Sequence, residues 1–263
     1  MLCLLLINEA YHTSSAPRSP PRHRIADQVP AMNTAHTLLR AERAVLWDVD
    51  GTLVDSTSLG FTATNEVLET SGFTTITVNE YYLGCRYTTP ERFNYHVQQE
   101  PGSAVGTRLG RLFDETYVKR VSKQTAGLFP GMERLLRNLA MAGHPQGVLS
   151  NACGDYVRAV VAANELDMLP GVRVGLFGIA LGADEVSEAK PGAAGLLACC
   201  EALRVAAEAS VYIGDSPTDG GAARAASMRS IGVSWGANPR DKLDDYFDVV
   251  VDDIDSLIVA LRD

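Results

Sequence analysis

The chain has no excess of basic residues, and this lack limits the functions it can have. Its 23 Lys and Arg residues are outnumbered by 32 Asp and Glu residues, which gives a formal net charge of −9. Nucleic acids and anionic membranes attract proteins through clustered positive charge, so a chain of this charge has no generic attraction to either. We therefore predict no nucleic-acid partner and no membrane partner. A small anionic substrate is still allowed, because local charge in a site can oppose the overall sign.

Cysteine is also scarce. The 263 residues contain an odd number of cysteines with no metal-ligand spacing: Cys3, Cys85, Cys153, Cys199 and Cys200. This pattern argues against both a disulfide framework and a thiolate metal site. We predict reduced, mostly structural thiols and a cytoplasmic location.

The first forty residues lack the features of a targeting segment. The apolar stretch at residues 2–7 is too short to span a bilayer, and no basic residue precedes it as in a secretory signal. The residues that follow are rich in Pro and Arg and poor in apolar side chains, which is typical of disorder. We predict that residues 1–40 are a disordered or artefactual extension, because a start codon called upstream of Met32 would explain the residues before it; a targeting peptide is the alternative.

From residue 41 onward, short apolar segments alternate with helical patterns. The strand candidates are Ala44–Val49, Gly147–Ser150, Val172–Ile179, Ser210–Gly214, Arg229–Val233 and Asp248–Val251. The helix candidates are Gly131–Ala142, Gly154–Asn164, Gly192–Leu203, Gly220–Ala226 and Ile254–Leu261. This alternation predicts an α/β fold with a parallel sheet that helices cover on both faces.

The segment from 59 to 127 interrupts that alternation. It has the patterns of helices, with little strand signal apart from Thr74–Val78. We therefore predict a catalytic core of residues 41–58 and 128–263, and a helical cap of residues 59–127 inserted after the first strand. Such a cap would lie over the carboxyl end of that strand, where lids exclude water and select substrates. A purely structural helical subdomain is the alternative.

Two acids close the first predicted strand. Asp48 and Asp50 follow the apolar run Ala44–Leu46, and Gly51 and Thr52 come next. Residues i and i+2 of an extended chain point the same way, so both carboxylates face one side at the strand's carboxyl end, where open α/β sheets bind ligands. Two carboxylates there repel each other unless a cation or a proton intervenes. An ordinary Asp-Gly turn is the alternative.

Two later strands also end in polar groups. Ser150 and Asn151 close one strand, and their hydroxyl and amide groups can bind an oxyanion without adding charge. Asp215 follows another strand, where it can ligate a cation, and Asp219 lies one turn further on, where it can hold a water or Lys190. A helix cap or a loop with capping acids would give the same residues.

A lysine supplies the positive charge of this predicted site. We predict that Pro191 is the first residue of a helix, which would place Lys190 at the helix N-terminus, where anions bind. An ammonium group there could neutralise a nucleophile and a phosphate together. A solvated surface lysine is the alternative.

Taken together, these motifs resemble the haloacid dehalogenase-like hydrolase superfamily, in particular its phosphoglycolate phosphatase-like branch. The resemblance covers residues 41–263 and includes the four motifs in order, with further matches at Phe129–Met132, Gly182–Asp184 and Ala222–Ala226. It implies a Rossmann-like parallel sheet with a helical cap inserted after the first strand. It also implies an enzyme that hydrolyses a small soluble phosphomonoester through an aspartyl-phosphate.

The resemblance assigns a role to each residue of the reaction. It implies that Asp48 is the nucleophile and that Asp50 is the general acid and then the base, with Thr52 orienting Asp50 through its hydroxyl. Asp50 favours phosphate-ester chemistry, because the dehalogenases and phosphonate hydrolases of this fold lack an acid there. The phosphate-binding residues that it implies are Thr52, Ser150, Asn151 and Lys190.

The resemblance also implies a Mg²⁺ ion. Its ligands would be the carboxylates of Asp48 and Asp215 and the main-chain carbonyl of Asp50, with Asp219 acting behind them. A hard oxygen site of this kind suits Mg²⁺, which usually keeps several waters.

Substrate choice is less determined by these motifs. Arg86 lies in a segment that resembles the family's specificity loop, so it could contact an anionic substrate group. Ala193, Ala194 and Ser227 depart from residues that are usual in the branch. The alternatives are a sugar-phosphate mutase like β-phosphoglucomutase and a non-catalytic regulatory protein. Nothing in the sequence indicates an oligomeric state.

Overall fold

A computed structural model describes residues 43–167 and 175–262 of the protein. The predicted extension of residues 1–40 lies outside the described residues. Within them, the chain alternates between strands and helices as the apolar pattern predicts.

A six-stranded parallel sheet forms the centre of the molecule. Its strands are β1 (Val45–Trp47), β4 (Gln146–Leu149), β5 (Ile179–Leu181), β6 (Val211–Gly214), β7 (Arg229–Val233) and β8 (Val249–Val251). The strand order is β5-β4-β1-β6-β7-β8, and every neighbouring pair is parallel. The first strand is therefore central, with β4 on one side and β6 on the other.

Helices cover both faces of this sheet. They are α5 (Met132–Met141), α6 (Gly154–Ala163), α7 (Ala194–Leu203), α8 (Pro217–Ala225) and α9 (Ile254–Ala260). Side chains alternate along a strand, so Val45 and Trp47 join the apolar cluster of α5, α6 and α9, while Leu46 joins the cluster of α7 and α8. Both faces are buried, and the prediction of a Rossmann-like α/β fold is confirmed.

A helical insertion, residues 57–126, interrupts the core after β1. It contains α1 (Thr57–Thr70), α2 (Val78–Gly84), α3 (Thr89–His96) and α4 (Ala104–Lys119). Two short strands bracket it, β2 (Val54–Asp55) and β3 (Gly127–Leu128), and they pair antiparallel. The insertion therefore leaves and rejoins the core at one place, beside the end of β1. The functional division into core and cap stays a prediction.

The helices of the described residues can be compared with the length and hydropathy that a membrane-spanning helix needs. None of those in residues 43–167 and 175–262 is both long enough and apolar enough to cross a bilayer.

The structure differs from the sequence patterns at three places. Of the strand predicted at Val172–Ile179, residues 172–174 lie outside the described residues, residues 175–178 form no strand, and β5 begins at Ile179. The strand signal at Thr74–Val78 gives no strand in the described residues, because the Thr77 hydroxyl caps α2, which begins at Val78. Pro191 does not begin a helix: Lys190 lies in a turn, and α7 begins at Ala194.

Candidate active site

The polar strand ends meet at one edge of the sheet. Asp48 follows β1, Ser150 follows β4 and Asp215 follows β6, and these three strands are neighbours. Parallel strands end at the same edge, so register alone brings the three side chains together. The N–H of Asp48 donates to the carbonyl of Ile213 (2.9 Å), which continues the ladder to the site.

Lys190 connects two of the buried acids. Its ammonium Nζ lies 2.6 Å from Oδ1 of Asp48, 2.7 Å from Oδ1 of Asp219 and 3.0 Å from the Tyr212 hydroxyl. The Lys190 side chain is only 3% exposed, so these contacts replace the water that the ammonium loses on burial. The structure thus brings the predicted lysine to the predicted nucleophile from a turn instead of a helix N-terminus.

Burial and neighbouring opposite charges have opposing effects on the pKa values of Asp48 and Lys190. Burial raises the pKa of Asp48, and although Lys190 opposes the rise, Asp219 and Asp50 add to it and bring the pKa to about 7. Burial alone would lower the pKa of Lys190, but the charges of Asp219 and Asp48 raise it above its ordinary value. The lysine is therefore cationic, and its one ammonium group contacts both Asp48 and Asp219.

Asn151 holds Lys190 through the main chain. Its Oδ1 accepts from the Lys190 N–H (3.0 Å), and its Nδ2 donates to the Lys190 carbonyl (3.1 Å). Both functions of the amide are thus in use. In this structure Asn151 fixes the lysine backbone, and its predicted phosphate contact stays a prediction.

Asp50 is surrounded by hydroxyl groups. Its Oδ1 accepts from Ser56 Oγ (2.5 Å), from the Tyr156 hydroxyl (2.5 Å) and from the Tyr117 hydroxyl (2.9 Å). Burial raises the pKa of both phenols well above 10, and the charge of Asp50 adds to this, so both keep the proton that they donate.

Thr52 does not orient Asp50. The Thr52 side chain is 0% exposed, and its Oγ1 has no hydrogen-bond partner in the described residues. The loop after β1 turns tightly, with the N–H groups of Leu53 and Val54 both donating to Val49, and this turns Thr52 into the interior. The structure therefore contradicts the predicted role of Thr52 in orienting Asp50, and Ser56 makes that contact instead, while the role of Thr52 in binding phosphate stays a prediction.

Ser150 lies between Asp50 and the next loop. Its Oγ is 3.4 Å from Oδ2 of Asp50 and accepts from the N–H of Ala152 at 3.0 Å. Its side chain lines the central cavity while remaining 2% exposed. The hydroxyl therefore stands where a phosphoryl oxygen could accept from it.

The position of the Asp215 side chain requires a glycine at residue 51. Its Oδ2 accepts from the Ala237 N–H at 2.6 Å, and a Cβ at Gly51 would come 2.1 Å from the same oxygen. Gly51 also has a φ of +79°, which only glycine adopts without strain. Burial, and then the charges of Asp48 and Asp219, raise the pKa of Asp215 well above its ordinary value. The turn after the opening acid pair thus makes room for the third acid.

Three buried carboxylates fit a hard cation. Ligand atoms of Asp48, Asp215 and Asp219 all lie within 4.8 Å of one another. Asp48 and Asp215 each keep one oxygen without a hydrogen bond in the described residues, whereas both oxygens of Asp219 accept from protein donors, Lys190 and Ser216. A cation would offset the repulsion that raises the pKa of Asp215, and oxygen donors of this kind suit Mg²⁺. The free oxygens favour Asp48 and Asp215 over Asp219 as ligands.

A cavity of about 710 Å³ opens above these acids. The helical insertion contributes Tyr81, Arg86, Arg92 and Phe113 to its wall. Arg86 is exposed, and its guanidinium lies over the ring of Tyr87, with 5.0 Å between Cζ and the ring centroid. Arg92 is 8% exposed, and its Nε and Nη2 have no partner in the described residues. Two cationic side chains of the insertion therefore face the cavity.

Sequence reasoning missed four hydroxyl-bearing residues of the site: Ser56, Tyr117, Tyr156 and Tyr212. Ser56 carried a signal, since it lies six residues after Asp50 and just before α1. The three tyrosines carried none, because they come from distant helices and a strand and only the fold brings them to the acids.

Comparison with known proteins agrees with this geometry. The family model described as haloacid dehalogenase-like hydrolase matches residues 45–233. A protein of Xanthomonas campestris pv. campestris named phosphoglycolate phosphatase is 32% identical over 202 residues, which cover 75% of this chain and 86% of that protein.

Solved structures extend the comparison to the fold. A chain from Bacteroides fragilis described as a haloacid dehalogenase-like hydrolase superposes with a TM-score of 0.72 and 25% identity, over 82% of this chain and 99% of that one. The β-phosphoglucomutase of Clostridium difficile superposes with a TM-score of 0.67 over 82% and 93% of the two chains, and at 19% identity it shows the shared fold alone. The chain therefore belongs to the haloacid dehalogenase-like hydrolase family, and it is a phosphoric monoester hydrolase of that family.

Proposed function

We propose that this phosphatase transfers the phosphoryl group of a small ester first to Asp48 and then to water. The observation that carries the proposal is the buried Asp48 carboxylate beside Asp50, which has one oxygen 2.6 Å from Lys190 and the other without a hydrogen bond in the described residues. An acid so placed can attack phosphorus while the lysine neutralises charge on the nucleophile and on the phosphoryl oxygens.

The neighbouring residues divide the rest of the work. Asp50 gives a proton to the leaving alkoxide and then takes one from the attacking water. Ser150 donates to a phosphoryl oxygen, and Lys190 binds another. Asn151 and Asp219 hold the lysine in place from its main-chain and ammonium ends.

We propose Mg²⁺ as the cofactor. The carboxylates of Asp48 and Asp215 and the main-chain carbonyl of Asp50 would hold the ion, with Asp219 acting behind them through Lys190. When bound, Mg²⁺ supplies positive charge to the phosphoryl oxygens during transfer. The shared negative charge of the buried acids supports this assignment.

We propose that the substrate carries a second anionic group, as phosphoglycolate does. The relatives named phosphoglycolate phosphatase support this class, and so do Arg86 and Arg92 at the cavity wall. The predicted cap of residues 59–127 would present both arginines. We also propose a cytoplasmic location, which the free cysteines of the described residues support.

Phosphate release tests the proposal. The protein with Mg²⁺ is expected to release inorganic phosphate from p-nitrophenyl phosphate and from phosphoglycolate, and Asp48→Asn should abolish release. Asp55→Asn is the matched control, because Asp55 is an exposed acid outside the cavity. Unchanged activity of Asp48→Asn would refute the nucleophile. Isomerisation of a hexose 1-phosphate without phosphate release would instead establish a mutase.

A further inference from the structure

Two tyrosines from different parts of the molecule hold the same oxygen of Asp50. Tyr117 lies in α4 of the helical insertion, and Tyr156 lies in α6 of the core. Their hydroxyls donate to Oδ1 of Asp50 at 2.9 and 2.5 Å. Ser56 adds a third donor to the same oxygen. The lone pairs of Oδ1 are therefore fully engaged by protein.

The two phenols form one rigid unit. Their rings stack with centroids 4.1 Å apart and an interplanar angle of 15°, and their hydroxyl oxygens lie 3.0 Å apart. Tyr117 is 4% exposed and Tyr156 is fully buried, so protein packing fixes both hydroxyls before any substrate arrives. Preorganised donors of this kind cost no reorganisation during the reaction.

The other oxygen of Asp50 is left for proton transfer. Its Oδ2 has one neighbouring donor in the described residues, Ser150 Oγ at the long distance of 3.4 Å. We propose that Tyr117 and Tyr156 are positioning residues that hold Oδ1 of Asp50 and so reserve Oδ2 as the oxygen that carries the catalytic proton. The inference rests on the proposed function, because it says which oxygen of Asp50 acts as the acid and base of that reaction.

The proton balance follows from this division. In the first step a carboxylate oxygen of Asp48 bonds to phosphorus, the bond from phosphorus to the ester oxygen breaks, and the proton on Oδ2 of Asp50 moves to that leaving oxygen. In the second step water bonds to phosphorus and gives a proton to Oδ2, while the aspartyl-phosphate bond breaks. Alcohol and phosphate leave, and Asp50 is protonated again.

Tyrosine-to-phenylalanine variants test the proposal, because they remove each hydroxyl and keep the stacked ring. The readout is the single-turnover rate of the first step with two esters. An alkyl phosphate needs the proton from Asp50, whereas p-nitrophenyl phosphate has a leaving group that departs without one. Tyr117→Phe and Tyr156→Phe should each slow the alkyl ester about 10-fold, since hydrogen bonds to charged groups are worth about that factor or more.

The aryl ester gives the contrasting expectation. Its first-step rate should stay within about threefold in both variants, because no general acid contributes there. Equal slowing of both esters would overturn the proposal, since it would show a general loss of site structure. Unchanged rates with both esters would overturn it as well, since the hydroxyls would then have no role.

A double-mutant cycle removes the remaining ambiguity. In an Asp50→Asn background, adding either Tyr→Phe change should alter the alkyl rate by no more than about twofold, because the group being positioned is no longer an acid. An undiminished 10-fold effect in that background would contradict action through Asp50. Tyr95→Phe is the control, since it removes a phenol hydroxyl from α3 of the insertion at a residue that is 38% exposed and outside the cavity wall.

Failure of the proposed function gives a different result. If the wild-type protein releases no alcohol and no phenol from any ester, there is no first-step rate to measure, and the proposed function itself fails. Thermal unfolding of both tyrosine variants identifies a folding defect, and if one variant is unstable the other still tests the same oxygen.

Discussion

At the scale of single residues, Lys190 sets how much negative charge the site holds. It is nearly fully buried and contacts Asp48 and Asp219 within 2.7 Å. Removing one member of a buried pair typically costs about 3–5 kcal/mol, because the other charge stays buried without its partner. In the proposed function the same lysine contributes to both stability and catalysis, so a Lys190 variant would lose both together.

Arg92 is the residue whose surroundings point most directly to substrate. Its guanidinium carbon lies 4.3 Å from the ring centroid of Phe113, and its Nε and Nη2 have no acceptor in the described residues. A carboxylate of the substrate would give the buried fork the anionic partner that it lacks. Arg86, in contrast, is exposed and already stacks on tyrosine rings.

We expect Arg92→Met to remove the preference for a carboxylate-bearing ester. Its kcat/KM for phosphoglycolate should fall about 10- to 100-fold, the range for a lost hydrogen bond to a charged group, while ethyl phosphate is turned over as before. Arg86→Met is the matched comparison and should change the ratio less, because exposed charges are screened. If Arg86→Met abolishes the preference and Arg92→Met does not, the assignment belongs to Arg86.

At the scale of elements, the loops after the strands position more of the site residues than the helices that follow them. Three strands deliver Asp48, Ser150 and Asp215 to one edge, and the turn with Gly51 makes the close approach to Asp215 possible. The lysine needs no helix N-terminus, because Asn151 fixes its backbone and two carboxylates bind its ammonium. Direct side-chain pairing thus replaces the helix dipole that the Lys-Pro pair suggested.

The end of α8 contains a local strain that a single substitution should relieve. Ser227 follows this helix with a φ of +54°, is exposed and makes no side-chain hydrogen bond in the described residues. Left-handed backbone costs a non-glycine residue about 1–2 kcal/mol, which is partly offset by the entropy glycine loses on folding. We expect Ser227→Gly to raise the free energy of unfolding by about 0.5–1 kcal/mol, with Tm about 1–4 °C higher.

Calorimetry on Ser227→Gly and Ser227→Ala separates backbone strain from loss of the hydroxyl. Alanine keeps the Cβ, so it should bring no gain. Equal stabilisation by both substitutions would show that the hydroxyl, and not the backbone angle, destabilises the wild type.

At the scale of the whole molecule, the helical insertion and the core share one apolar cluster. Side chains of α1, α3 and α4 belong to the same buried cluster as those of β1, α5, α6 and α9. The insertion is therefore packed onto the core in this structure. The contact of Tyr117 with Tyr156 lies within that packing and reaches the reacting acid.

Because the buried acids repel one another, we expect global stability to depend on a bound cation. We expect Asp215→Asn to melt above the wild type in a chelator, because it removes a buried charge that Asp48 and Asp219 repel. With Mg²⁺ at about 100 times its Kd, the wild type should gain about 2.7 kcal/mol and the variant little, so the order reverses.

Thermal unfolding with and without Mg²⁺ measures this reversal. Asp55→Asn should respond to the ion as the wild type does, because its carboxylate is exposed and outside the site. An equal shift for Asp215→Asn and wild type would argue against Asp215 as a ligand.

Sequence alone determined the local periodicities and the acids at strand ends. Apolar runs of strand length predict β1, β6 and β7, because a strand buried on both faces must be apolar throughout. Asp48, Asp50 and Asp215 were predictable as a group, since parallel strands end at a common edge, and Lys190 was predictable from the order of the motifs. The strand near residue 179 and the turn at Lys190 were not predicted correctly, because pairing and side-chain contacts with distant residues determine both.

Tertiary structure alone decided which groups surround Asp50 and which oxygens stay free. Thr52 is two residues from Asp50 in sequence yet turns inward, whereas Tyr117 and Tyr156, 67 and 106 residues away, donate to Asp50. Hydrogen bonds depend on distance and direction in space, and sequence spacing fixes these only within one strand or helix. The sequence therefore determined which carboxylates we propose to react, and the fold determined how each of them is held.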